Sequence, residues 1–195
     1  MKKAYLIILA IIIAGSFEVL QAQTFKADPD KTVILWHGKK VGGDHTGNIN
    51  LKSGEIIMNG NKPVSGTIVI DMATITNSDI ENEAMRERLV NHLKSDDFFG
   101  ADKFPEAKFE ITGSEVNGSG DLLIKGNLTI KGISEPIEFV SKPDSTGDYM
   151  IFTGHIEIDR SLFDVRFGSK KFFANIADSA IDDIFTLDYE LYLGK

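Results

Sequence analysis

The residues equipped for chemistry are few and scattered. The 195-residue chain has no cysteine, which excludes thiolate nucleophiles, disulfides and haem attachment through Cys-x-x-Cys-His. Its four histidines, His37, His45, His92 and His155, lack the close spacing that brings two ligands onto one metal ion. Asp96-Asp97 opens like an Asp-Asp-x-x-Asp box that would chelate magnesium, but position 100 is Gly where the third carboxylate should stand. No Gly-x-Ser-x-Gly or His-Glu-x-x-His is present. The chain therefore offers no catalytic residue, no cofactor motif and no metal site, and a non-enzymatic role is expected.

Two polar residues are better suited to orienting a ligand. Arg160 continues the parity of Met150, Phe152, Gly154, Ile156 and Ile158, so it should point inward at a strand end. An inward guanidinium is costly to bury alone. It must meet a carboxylate, with Asp164 and Asp178 as candidates, or the anionic group of a ligand. His92 closes a helical stretch, where a cation or a hydrogen bond to the last carbonyls is favourable; contact with a ligand is the alternative. Arg166, Lys170 and Lys171 follow Arg160 and make a basic cluster that could receive an anionic head group or simply be a solvated loop.

The elements that position these residues are mostly strands. Ile181, Phe185, Leu187, Tyr189, Leu191 and Leu193 share one parity, with Asp182, Thr186, Asp188 and Glu190 on the other. The same alternation places Leu122, Ile124, Leu128 and Ile130 on one face, and Ile68, Ile70 and Met72 on one face. Further strands are expected near 32–41, 45–51, 54–59, 107–116, 134–141 and 149–159. From Ser78 to Lys94 the spacing changes: Ile80, Ala84, Met85, Leu89 and Leu93 predict a helix, with Ser78 and Glu81 as its capping box. Many antiparallel strands with one inserted helix point to an all-β fold closed into an eight-stranded barrel, or to a sandwich.

The 13 phenylalanines gather where a strand pattern does not explain them. Phe98, Phe99 and Phe104 lie in the segment after the helix; Phe163, Phe167, Phe172 and Phe173 lie in a second irregular segment before the last strand. Loops normally run over the surface. Apolar loops should therefore cap the ends of a barrel or line the entrance to its interior, and an eight-stranded barrel is about wide enough to hold one small ligand.

Four stretches in succession carry a resemblance: Met72-Ala73-Thr74-Ile75-Thr76, then HLKSDDFFGADKFPEAKFEI (92–111), GNLTIKGISEPIEF (126–139), and Ile158-Asp159-Arg160-Ser161 with Phe163. Together they resemble the YceI-like family, from about residue 30 to the C-terminus. The chain departs from the family pattern at Trp36-His37-Gly38-Lys39-Lys40, and at Phe163-Asp164, where Phe-Gly is common. The resemblance implies an exported protein with a lipocalin-like barrel that binds a polyisoprenoid lipid or a quinone-like amphiphile. The expected lining is Ile70, Met72, Phe98, Phe99, Phe109, Ile111, Leu128, Phe152, Ile156, Phe185 and Leu187, with His92 and Arg160 as its polar members. Phe98, Phe99, Phe109, Phe152 and Phe185 should surround one elongated cavity, with Arg160 near an end of it.

The N-terminus fits export. Lys2 and Lys3 precede an apolar run from Ala4 to Ala14, and Leu20-Gln21-Ala22 offers a small-residue cleavage site. The run is shorter than the roughly 20 residues a membrane helix needs. A signal peptide over residues 1–22 is expected, with residues 23–195 forming a single barrel domain in the periplasm or outside the cell. The formal net charge is −8, and removing Lys2 and Lys3 together with Glu18 makes it more negative, so nucleic acid is not an expected partner. A homodimer is compatible with the chain. The expected role is a carrier or store for a long isoprenoid. Two alternatives stay open: an enzyme acting on such a lipid, and a protein-interaction or stress module whose barrel is filled by its own side chains.

Overall fold

The computed structural model describes residues 22–176 and 180–195. Residues 1–21 of the expected signal peptide, and Asp178, fall outside the described residues. Ten strands form one antiparallel sheet: β1 (Gln23–Ala27), β2 (Val33–Lys40), β3 (Gly43–Asn48), β4 (Asn50–Asn59), β5 (Lys62–Asp71), β6 (Glu106–Val116), β7 (Leu122–Ile130), β8 (Ile133–Thr146), β9 (Tyr149–Asp159) and β10 (Ile181–Gly194). The order β1-β4-β5-β6-β7-β8-β9-β10 is closed by pairing of β1 with β10, which makes an eight-stranded barrel; the β2–β3 hairpin is added beside β10. Closure leaves the ring without an unpaired edge.

Ten strands occupy eight places because two places are split. β1 and β2 both pair with β10, and the bend between them is made by Asp28, whose Oδ1 accepts from the N–H of Asp30 at 3.0 Å. Bonds to the Tyr192 backbone bridge this bend: Asp28 N donates to Tyr192 O, and Tyr192 N donates to the Thr32 side-chain Oγ1. Strands β3 and β4 likewise run on with a break at Ile49. The short β1 had no signal in the alternation, since only Phe25 and Ala27 turn inward from it.

The helix is shorter than its periodicity predicts. It spans Glu83–Lys94 (α1) and is capped by Asn82, whose side chain accepts from Met85 N. Ser78 and Glu81 do not form the expected capping box. Instead Ser78 N donates to Thr46 O at 2.9 Å, and Asp79 accepts from Thr46 N and His45 Nδ1 at 2.8 Å each, so this stretch is bound to β3. Burial works to raise the Asp79 carboxyl pKa, but the donors from Thr46, His45 and Asn77 outweigh it and hold it below the usual carboxylate range.

The pairings assign each loop to one end of the barrel. The β4–β5, β6–β7 and β8–β9 turns lie at one end, where Phe25, Met58, Leu122 and Leu193 are buried and close it. At the other end lie the β2–β3 tip, α1, both phenylalanine-rich segments and a single turn of 3-10 helix at Arg160–Phe163.

Candidate functional site

The inward faces of the strands enclose a cavity of about 580 Å³ instead of meeting at the centre. That volume is within the range of ligand pockets, roughly 300–1,000 Å³. Its wall is predominantly apolar, and all of the residues expected from sequence lie on it. Ile70 and Met72 come from the end of β5 and the turn after it, Phe109 and Ile111 from β6, Leu128 from β7, Phe152 and Ile156 from β9, and Phe185 and Leu187 from β10. Phe98, Phe99 and His92 reach it from α1 and the segment that follows, and Arg160 from the 3-10 turn. Phe98, Phe99 and Phe109 of 92–111 thus supply wall and cap, whereas Phe104 is half-buried beside Gly100 and Gly132 and lies off the lining. Their acidic neighbours face outward: Asp96 pairs with Lys103, and Asp97 Oδ2 lies 3.5 Å from His92 Nε2. Among the described residues no three His, Asp or Glu side chains converge as metal ligands.

An aromatic row crosses the interior. Phe109 on β6 lies 5.3 Å from Phe139 on β8, and Phe139 lies 5.9 Å from Tyr189 on β10. The strands between contribute glycines beneath the rings. A Cβ on Gly126 of β7 would stand 2.6 Å from the Phe109 ring, and a Cβ on Gly154 of β9 would stand 2.7 Å from Tyr189. Both glycines sit in the inward parity, which is the signal that could have located the row. Burial pushes the Tyr189 phenol up to about 12, against a smaller opposing pull from Ser141. Trp36, Phe139, Ser141 and Tyr189 also line the cavity but were not singled out from sequence. Trp36 satisfies its indole N–H on Thr76 O at 2.8 Å, which allows the ring to be buried in the wall.

Arg160 is 3% exposed, and its guanidinium is held by protein. Nε donates to Asp182 O (3.0 Å), Nη1 to Val165 O (2.7 Å) and Nη2 to Ile181 O (3.0 Å). The nearby carboxylate is Asp183, with Oδ1 at 3.7 Å from Nη2, not Asp164. Burial pulls the guanidinium pKa down, while Asp183, Asp159 and Asp182 pull it up. Arg160 therefore clasps the segment 160–165 to the start of β10, and it meets the cavity through the Phe98 ring, 5.9 Å away. Asp164 sits at φ 57°, the left-handed conformation in which glycine is at ease, and its carboxylate pairs with Arg166. This accounts for Phe163-Asp164 where Phe-Gly is common. Lys171 pairs with Asp159 at 2.6 Å, and Lys170 is exposed. The basic cluster, readable as a head-group site or as a solvated loop, is thus spent partly on neighbouring acids.

The second phenylalanine-rich segment divides. Phe163 is buried, and Phe167 lines the cavity mouth with its ring 4.5 Å from His92 and 5.5 Å from Phe98. Phe172 and Phe173 are exposed instead, so they are not part of the cap. Lys39, Lys40, Val41, Phe167 and Asp182, exposed members of the lining, gather at this end of the barrel.

A model of the YceI-like domain matches residues 25–193, nearly all of the described chain. The chain belongs to the YceI-like family. Solved structures share the fold: BcnA of Burkholderia cenocepacia superposes with a TM-score of 0.69 at 21% identity, covering 85% of this chain and 98% of that one. A polyisoprenoid-binding domain from Saccharophagus degradans gives 0.62 at 13% identity, over 87% and 97%. Among curated relatives, a UPF0312 protein of Shewanella sp. (strain W3-18-1) is 34% identical over 91 residues, 47% of this chain and 45% of that protein. The match thus spans about half the length of that relative. In this YceI-like chain the cavity is the feature of the barrel that bears on function.

Proposed function

We propose that this YceI-like protein binds a long-chain isoprenoid, or an amphiphile of similar shape, with the tail inside the barrel. The observation that carries this is the apolar cavity of about 580 Å³, closed at one end by Phe25, Met58, Leu122 and Leu193. Burying a methylene is worth about 0.8 kcal/mol, so one five-carbon unit contributes roughly 3–4 kcal/mol before ordering costs. A few units suffice for useful affinity. The polyisoprenoid-binding domain of Saccharophagus degradans, which shares the fold, agrees with this choice of ligand.

The head group would rest at the mouth, beside His92, Phe167, Lys39 and Lys40. Arg160 donates to three carbonyls and faces Asp183, so it orders the rim more than it receives an anion. The protein acts as a carrier or store, not as an enzyme, and works in the periplasm or outside the cell, as the leader-like N-terminus suggests. Native mass spectrometry of protein purified from its own host, followed by lipid extraction, tests this. A bound isoprenoid is expected. Repeated recovery of ligand-free protein that gains no thermal stability from quinones or polyprenyl phosphates would count against it.

A further inference from the structure

We infer that the rim of the cavity is a docking surface for a bilayer containing anionic lipid; this rests on the reading that the cavity takes up a lipid tail. Phe167, Phe172 and Phe173 are 42%, 41% and 47% exposed, and Leu162 is 52% exposed. These residues share one short stretch with Arg166, Lys170 and Lys171, and the Arg166 guanidinium lies 5.0 Å from the Phe172 ring centre. The β2–β3 tip is held beside them. Ile181 N donates to Gly168 O at 2.8 Å and Val41 N to Ala180 O at 2.9 Å, which brings Lys39, Lys40 and the 49%-exposed Val41 to the same rim.

Aromatic rings interleaved with long basic side chains are the composition that rests at the level of lipid head groups. The basic residues Lys39, Lys40, Arg166, Lys170 and Lys171 stand at the rim among Asp44, Asp159, Asp164, Asp182 and Asp183; among the described residues Arg166 and Lys171 are paired with acids, and Lys39, Lys40 and Lys170 form no salt bridge. The chain as a whole carries −8, so its remaining surface is repelled by an anionic membrane, while Lys39, Lys40 and Lys170 at the rim are drawn to it. Screening over about 10 Å lets these two effects act separately. That opposition would orient the barrel with its mouth toward the bilayer.

Continuity with the cavity favours a bilayer over a protein partner as the occupant. Phe167 belongs both to the exposed patch and to the cavity wall, with its ring against His92 and Phe98. A tail leaving the membrane at this rim would pass from lipid onto Phe167 and then inward, without crossing water.

The test is co-sedimentation of the protein with vesicles of phosphatidylcholine mixed with phosphatidylglycerol, compared with phosphatidylcholine alone. Partitioning at least about tenfold stronger to the mixed vesicles is expected. Lys170→Glu should weaken it by more than about fivefold, and the double variant Phe172→Ser, Phe173→Ser should weaken it comparably. None of these three residues lines the cavity, so quenching of Trp36 fluorescence by a soluble short-tailed quinone in vesicle-free buffer should be the same in every variant. Failure of the parent protein to sediment with mixed vesicles, equal sedimentation with both vesicle types, or sedimentation unchanged in both variants would overturn the docking surface. Absence of Trp36 quenching in all proteins, with sedimentation as expected, would instead remove the uptake reading and leave the docking surface standing.

Discussion

The phenol of Tyr189 lies directly over Gly154 on the neighbouring strand, so that a Cβ at position 154 would stand 2.7 Å from both Cε1 and Oη. Gly154 and Gly126 leave room for the Tyr189 and Phe109 rings against their strands, and both rings line the cavity. Gly154→Ala should displace the ring and cost about 1–3 kcal/mol. The denaturant midpoint should fall with an unchanged slope. A midpoint equal to that of the parent would mean that the ring is free to move.

Tyr189 also makes stability depend on alkaline pH. Its folded pKa, about 12, lies above the ordinary 10, so the native state holds the proton more tightly than the unfolded chain. The resulting stability is complete below pH 10 and is lost as pH rises from there through about 12, on the order of 2–3 kcal/mol. Tyr149 and Tyr192 are raised as well, by Asp28 and by Glu190, so the comparison must be made with Tyr189→Phe. That variant should show a shallower loss in urea titrations across this range. Identical pH profiles would contradict the burial argument.

Arg160→Met should cost about 3–5 kcal/mol, because it leaves the half-buried Asp183 carboxylate, whose Oδ1 is buried, without its counter-charge and three carbonyls without donors. Arg160→Lys should recover little of this, since an ammonium cannot reproduce the planar fork. Thermal unfolding of both variants checks the prediction. Full rescue by lysine would show that charge alone matters.

Much of this was legible in the sequence. Period-2 alternation located nine of the ten strands, and the inward parities named cavity residues correctly, because a wall with one apolar face must alternate. The limits were physical. Asn82 displaced Ser78 as the cap because Ser78 and Asp79 bind β3, a contact far away in sequence. The partner of Arg160 was missed because its carbonyl acceptors carry no side-chain signal, and because Asp183 lies in the register shift of β10 between Ile181 and Phe185. Phe139 and Tyr189 were readable as inward residues, but the row they form depends on two glycines in other strands.

A hollow barrel and a solid one respond in opposite ways to added bulk. Ile156→Trp, on the cavity wall, should reduce lipid uptake while changing the melting temperature little, since the ring can extend into the cavity. Met58→Trp, at the closed end and 1% exposed, should destabilise by about 1–3 kcal/mol. Calorimetry of both variants separates the two sites. Equal destabilisation would indicate a packed interior.

Trp36 is the sole tryptophan of the chain and forms part of the cavity wall, so its fluorescence reports directly on what enters. Titration with quinones of one head group and increasing isoprenoid length is the most direct test of tail burial. Quenching should saturate, and affinity should rise by at least about tenfold per added unit until the cavity is full, then level off. Quenching that is absent, or an affinity that does not depend on tail length, would contradict the account.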